Sequence, residues 1–449
     1  MTSEQPRYTL YGAPVSLYTG KARSYLRTQG IHFVEEHPGS KRYLEHILPT
    51  VGRWIIPCLE TPNGEVVQDG ADIIDHFERG EGRALRRFSA YPDSPMLLAI
   101  SHLFELFGGE GLLRPAMHYR WNFDEENLAF LSSEFALLVP GAVLDHDAFL
   151  HNSGRMRKAA VTFGVTPDSL DAIESAFEEW LELFSAHLGD HPFLLGDHPT
   201  LGDYGLIAAM WAHLYRDPAP TMLIKQRAPR VGRWVERMTT SEPYLHEFPG
   251  ADGSLIDDRV LPETLLSLMR FVAEEYLPEI AAHVDVANEW LADHPEIEAG
   301  TNGLDNPGAR GLMGGRGLVG NGAATFEWRG QQLTTGVMPY RFWLMQRLHD
   351  DVLPRLLPKS EPGSVMCFQT QALSCFLISG RCDALSATGI SKSGGRRSRD
   401  LRGAADLADV ANPVHSPRPR RSNGQAHDRD QAVCRQAQQR PFRRCRSAS

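Results

Sequence analysis

A proline interrupts the apolar run Trp54-Ile55-Ile56-Pro57-Cys58-Leu59. Proline donates no ladder hydrogen bond, so a central strand does not readily contain one. Either the run lies on a sheet edge, or Pro57 follows a cis peptide bond that turns the backbone of Ile56 toward a ligand. Further on, Gln68-Asp69 directly precedes Gly70. Asp69 reads as the N-cap of a short helix, with Asp72 three residues later. Ser16 stands just ahead of a helix signal at Lys21–Gln29, where an N-cap or plain loop residue is the simplest reading.

Other chemical signals are weak. Gly315-Arg316-Gly317-Leu318-Val319-Gly320 fits the dinucleotide pattern, but Gly-rich sequence stands on both sides where a strand and a helix are required. The chain has no phosphate-cradling Gly-x4-Gly-Lys-Ser/Thr loop, no His-Glu-x-x-His and no Gly-x-Ser-x-Gly. No two cysteines stand three apart, so zinc ribbons and dithiol redox chemistry lack support and no metal is expected.

The elements that must position these residues alternate at first. Tyr8–Tyr11 reads as a strand, Lys21–Gln29 as a helix closed by Gly30, and Ile31–Glu35 as a second strand. A helix near Arg42–Leu48 precedes a strand pair, Trp54–Leu59 and Glu65–Gln68, joined by the turn Thr61-Pro62-Asn63-Gly64. Gly70–Glu78 is a short helix with Ile73, Ile74 and Phe77 on one face. To about Phe248 the chain then reads as helical. Its clearest helix is Pro167–Leu188, with Thr166 as N-cap and a buried stripe of Leu170, Ile173, Phe177, Trp180, Leu181, Phe184 and Leu188. Leu261–Leu291 is more helix interrupted at Pro278, Thr325–Val337 a hairpin, and Pro339–Leu357 a last amphipathic helix.

This order resembles the glutathione transferase family. The resemblance rests on Tyr11-Gly12-Ala13-Pro14-Val15-Ser16-Leu17-Tyr18-Thr19-Gly20-Lys21, on Ile56-Pro57, and on Gln68-Asp69-Gly70-Ala71-Asp72-Ile73-Ile74. In the helical half it rests on Phe193-Leu194-Leu195-Gly196-Asp197-His198-Pro199-Thr200-Leu201-Gly202-Asp203 and on Ala228-Pro229-Arg230-Val231-Gly232-Arg233-Trp234. It covers roughly residues 8 to 245. It implies an α/β thioredoxin-like N-terminal domain followed by an all-helical C-terminal domain, here with an extra helical extension and a tail. The boundaries are 1–88 for the glutathione-binding domain, 92–248 for the substrate domain, 249–357 for the extension with its Gly-rich loop at 300–322, and 358–449 for a basic disordered tail.

The family's chemistry is thiolate promotion. A free thiol ionises near pH 8.5, and lowering that by about two units takes roughly 2.7 kcal/mol. A hydroxyl at a helix N-terminus can contribute, helped by the partial positive charge there. The resemblance makes Ser16 the catalytic residue, with Tyr18, Thr19 and Tyr11 as rivals. It makes Ile56, Pro57, Gln68 and Asp69 glutathione-binding. Many members carry serine where this chain has Asp69, and an aspartate there would cap the helix and pair with the substrate's ammonium but repel its carboxylate. Thr200 and Asp203 read as a buried capping box. The acceptor pocket should lie between the halves, with Tyr18, Tyr119, Trp121, Leu103 and Phe107 as candidate lining. The expected activity is transfer of glutathione, as co-substrate, to a small electrophile in detoxification. A non-catalytic scaffold that kept the fold is the alternative, and a glutathione-dependent dehalogenase or peroxidase lies close to the first reading.

Composition frames this. The 449 residues carry a net charge of −10, but residues 1–358 carry −19 and residues 359–449 carry +9. Of six cysteines only Cys58 lies in the body, while all eight tryptophans do. An acidic body with one cysteine suits a reducing cytosol, and a homodimer is expected from the family. No apolar run reaches the roughly 18 residues needed to cross a bilayer, and Met1–Leu10 lacks an apolar signal core, so neither a membrane role nor secretion is expected. The tail's arginine clusters have few aromatic partners, so nucleic-acid binding is not expected. Its abrupt change in Cys, Trp and Arg usage also fits a shifted reading frame after about Leu357.

Overall fold

Four short strands make one mixed sheet in the order β2-β1-β3-β4. Strand β1 (Tyr8–Tyr11) runs parallel to β2 (Phe33–Glu36), and helix α1 (Leu17–Thr28) supplies the crossover between them. Strands β3 (Cys58–Glu60) and β4 (Val66–Gln68) are antiparallel neighbours. Before them the chain makes the short helix α2 (Leu48–Val51). After them comes α3 (Gly70–Glu78), whose Ile73, Ile74 and Phe77 are fully buried, as its apolar face predicts. This is a thioredoxin-like domain, and an all-helical domain follows it.

The structure, a computed structural model, describes residues 7–136, 138, 146–293, 295 and 322–356, all within the unit Met1–Pro413. The Gly-rich stretch up to residue 321 and the basic tail 358–449 lie outside the described residues.

The helical part opens with α4 (Pro95–Leu106), which continues through a widened turn, Phe107–Gly111, into α5 (Leu113–Trp121). The stretch Pro95–Trp121 is long and apolar enough to cross a membrane by length and composition, although the sequence reading found no such run. Most of it is buried inside the protein, so its apolar faces already have partners. Helices α6 (Asp124–Ala136), α7 (His146–Ala160), α8 (Leu170–His187), α9 (Leu201–Ala209), α10 (Pro218–Arg227) and α11 (Pro229–Arg237) complete this layer. Trp180 of α8 is fully buried and lies near-parallel to Phe184, 5.2 Å between ring centres. Burying such a ring contributes about 2–3 kcal/mol.

Several boundaries differ from the sequence reading for local reasons. Helix α8 starts at Leu170, three residues later than Pro167, because Ser169 and Thr166 bond to each other across a closed turn. Trp54–Ile56 precede the sheet, and β3 begins at Cys58, so Pro57 deprives the ladder of no donor. Beyond α11 the chain forms α12 (Glu263–Glu275) and α13 (Leu277–Asp293), split at Tyr276 rather than at Pro278, which is tolerated in the first turn of α13. A hairpin of β5 (Ala323–Trp328) and β6 (Gln331–Gly336) then leads into α14 (Pro339–Leu356).

Candidate active site

Ser16 is the N-cap of α1. The helix begins four residues before Lys21, which places Ser16 directly at its positive end. The Ser16 Oγ accepts from the Thr19 N–H at 3.3 Å. Among the described residues nothing accepts the Ser16 hydroxyl proton, so that proton is available to an anion. Two contacts fix the loop beneath it. The Ser16 N–H donates to the Ala13 carbonyl at 3.1 Å. Arg120 of α5 donates to the Val15 carbonyl at 2.9 Å while forming a two-pronged pair with Asp217 at 2.7 and 2.9 Å. The helical layer thereby sets the height of the serine loop.

The Ile56–Pro57 peptide bond is cis. The Pro57 carbonyl accepts from the Asp69 N–H at 3.2 Å, so the proline and the aspartate are joined backbone to backbone. Asp69 caps α3, its carboxylate accepting from the Ala71 N–H at 2.7 Å. Its φ of 72° lies in the left-handed region, which a residue with a Cβ enters at a cost of about 1–3 kcal/mol and which clusters at ligand sites.

Ser16, Ile56 and Asp69 line one pocket together with Ala13, Val15, Leu17, Tyr18 and Ile55. The opposite wall comes from the helices, with Leu113, Met117, Arg120, Trp121, Phe135, Leu138, Met156, Phe163 and His213. Met338, just before α14, also lines it. The lining is mostly apolar with three methionines, flexible side chains that adapt to varied shapes. Burial and then the nearby Arg120 charge push the His213 pKa well below its ordinary value, so its imidazole is neutral at pH 7.

Behind Tyr18 lies a buried charged cluster. The Tyr18 hydroxyl donates to Glu110 at 3.2 Å. Arg341 of α14 donates to Glu110 at 3.4 Å and to Glu279 at 2.6 Å, and Arg114 donates to Glu279 at 2.5 Å. Burial raises the Glu110 pKa to about 7, with Arg341 opposing. Glu279 is held down at about 2 against its own burial by Arg341 and then Arg114.

Not every sequence candidate reaches the pocket. Gln68 ends β4, paired with Cys58, and Pro57 acts behind Ile56; neither lines the cavity. Tyr119 does not line it either, and this corrects the expectation: its ring stacks on Phe123 at 5.2 Å and packs against Phe177, on the face of α5 turned to α8. Trp121, two residues on, faces the pocket. Leu103 and Phe107 are core, with Phe107 against Trp180 at 5.1 Å. Of the rivals to Ser16, the Tyr11 hydroxyl donates to Glu60, and the Thr19 hydroxyl accepts from the Ala13 N–H. Sequence reasoning missed Arg120, His213 and Glu110; a charged residue on an apolar helix was the only signal, and it does not name a partner. Among the described residues no group of three or more His, Cys, Asp or Glu could hold a metal ion.

Comparison with known proteins adds a family. Residues 10–83 match the glutathione S-transferase N-terminal domain, and residues 167–237 match the glutathione S-transferase C-terminal domain. No match was found among curated proteins. Similar solved structures include the glutathione transferase GSTFuA3 from Phanerochaete chrysosporium, at 14% identity and a TM-score of 0.37, covering 53% of this chain and 97% of that one. The β-etherase LigF from Sphingobium is 16% identical with a TM-score of 0.35, covering 51% and 94%. A glutathione S-transferase from Methylobacterium radiotolerans, in complex with glutathione sulfonate, is 20% identical with a TM-score of 0.31, covering 57% and 100%. The chain thus carries the N- and C-terminal domains of the glutathione S-transferase family, together with an additional C-terminal region that neither domain accounts for.

Proposed function

We propose that this protein binds glutathione along the Ser16–Ile56–Asp69 wall and transfers it to a small apolar electrophile held against the helical wall. The observation that carries the reading is the convergence of Ser16, Ile56 and Asp69 on one pocket. The Ser16 proton is free to donate to the thiolate sulfur, and the N-terminus of α1 adds partial positive charge. Ile56 pairs its backbone with the cysteinyl residue as a peptide adds to a strand edge. Asp69 takes the ammonium of the γ-glutamyl end. The thiolate attacks the electrophilic carbon, a sulfur–carbon bond forms, and the displaced group leaves with its bonding pair.

The apolar lining supports an aromatic or alkyl acceptor, and the neutral His213 supports an uncharged one. Action in a reducing cytosol, a detoxifying role and assembly as a homodimer belong to the same proposal. Calorimetry with glutathione and thiol-transfer turnover with a panel of aryl and alkyl electrophiles test it. Absence of glutathione binding at millimolar concentration would end the reading.

A further inference from the structure

The region that neither family domain covers reaches into the site. Met338 lines the pocket, and two residues later the Tyr340 hydroxyl lies 3.2 Å from Asp69 Oδ1. Tyr340 is buried, and its ring packs edge-on against that of Tyr18 at 6.1 Å. The next residue, Arg341, holds Glu110, the acceptor of the Tyr18 hydroxyl. Helix α14 thus touches both polar ends of the thioredoxin-like wall.

The consequence lies in how the Asp69 oxygens are used. Oδ1 already accepts from the Ala71 N–H at 2.7 Å and receives the Tyr340 hydroxyl as a second donor. Among the described residues Oδ2 carries no hydrogen bond. A carboxylate with only one partner can rotate and offer either oxygen. With two donors on Oδ1 its plane is fixed, and Oδ2 is left to take a cation from the pocket. We infer that Tyr340 is a positioning residue for ligand recognition: it locks Asp69 so that the site selects thiols carrying a free α-ammonium group. This rests on the glutathione-binding reading and adds to it a specificity determinant from outside the family domains.

The tests use the full chain, in wild type, Tyr340→Phe, Asp69→Asn and the double variant that combines the two. The probes are glutathione and glutathione acetylated on its α-amino group. In Tyr340→Phe the glutathione KM should rise about 3- to 10-fold, the worth of one buried hydrogen bond. The electrophile KM and kcat at saturation should stay within about twofold. The acetylated thiol should bind wild type weakly and respond to neither substitution. The preference for free over acetylated glutathione should therefore shrink in both variants, and by no more in the double variant than in Asp69→Asn alone. A Tyr340→Phe protein that keeps the wild-type preference would overturn the inference while leaving the transferase reading standing. Equal losses for both thiols would also overturn it, since that is what a merely structural role gives. A wild type that binds neither thiol would remove the transferase reading itself, and the inference with it.

Discussion

The indole N–H of Trp234 donates to Asp203 Oδ1 at 3.0 Å inside the helical domain, where both side chains are fully buried. Asp203 also accepts from the Leu194 N–H and, through Oδ2, from the Thr200 N–H, each at 2.9 Å. One carboxylate therefore ties together the loop 193–200, the start of α9 and helix α11. Burial raises its pKa, and the donors oppose that rise.

Trp234→Phe keeps most of the ring and removes the N–H. It should cost about 1–2 kcal/mol, the worth of one buried hydrogen bond to a carboxylate, read as a lower urea midpoint at unchanged slope. An unchanged midpoint would mean that the other donors suffice.

Gly205→Ala should be costlier. Helix α9 crosses α4 so closely that a Cβ at Gly205 would lie 2.3 Å from the Glu105 Cα, and one at Gly108 would lie 2.3 Å from the Leu206 nitrogen. The neighbours are backbone, so they cannot swing aside. A loss of about 2–3 kcal/mol is expected, again by urea titration. A neutral result would show that the two helices separate freely.

The outline of both domains was legible because it depends on local pattern. The Gly70–Glu78 stripe, the Thr200–Asp203 box and the Ile56-Pro57 pair each declare themselves within a few residues. The site was legible only on its thioredoxin-like side. Trp121 and Tyr119 differ by two positions on one helix, and which of them faces a cavity depends on how α5 packs against α8. Arg120 gains its role from Asp217 and Val15, partners 97 and 105 residues away. Nothing in the neighbourhood of Tyr340 announces Asp69, which lies 271 residues earlier.

Ser16→Ala tests the proposed thiolate donor. Near pH 6.5 turnover should fall about 10- to 100-fold, equivalent to a thiol pKa raised by one to two units. Above pH 9 the loss should nearly vanish, because the thiol ionises unaided. Ultraviolet absorbance of bound thiolate should shift in parallel. A pH–rate limb identical to wild type would move the role to Tyr18.

Glu110 gives a pH dependence of stability. Its folded pKa is raised from 4.5 to about 7, so the folded chain holds a proton that the unfolded chain releases between those values. Its contribution is present in full below pH 4.5 and is lost as pH rises toward 7, up to about 3 kcal/mol. Glu110→Gln removes this dependence. Its melting temperature should therefore gain on wild type as pH climbs from 5 to 7.5, measured by calorimetry. A constant difference across that range would show that Glu110 titrates as an ordinary carboxylate.

Helix α14 also sets an order of events. Arg347 pairs with Asp75 of α3 across 272 residues, and Asp351 meets His102 of α4 across 249. At ribosomal speeds of about 5–20 residues per second, that separation is tens of seconds of synthesis. Throughout it the surface later covered by Leu344, Leu348 and Val352 stays open on the nascent chain, although the sheet and α4 are already made. The time for which this apolar surface stays uncovered during synthesis is therefore set by the last described helix and not by the two family domains.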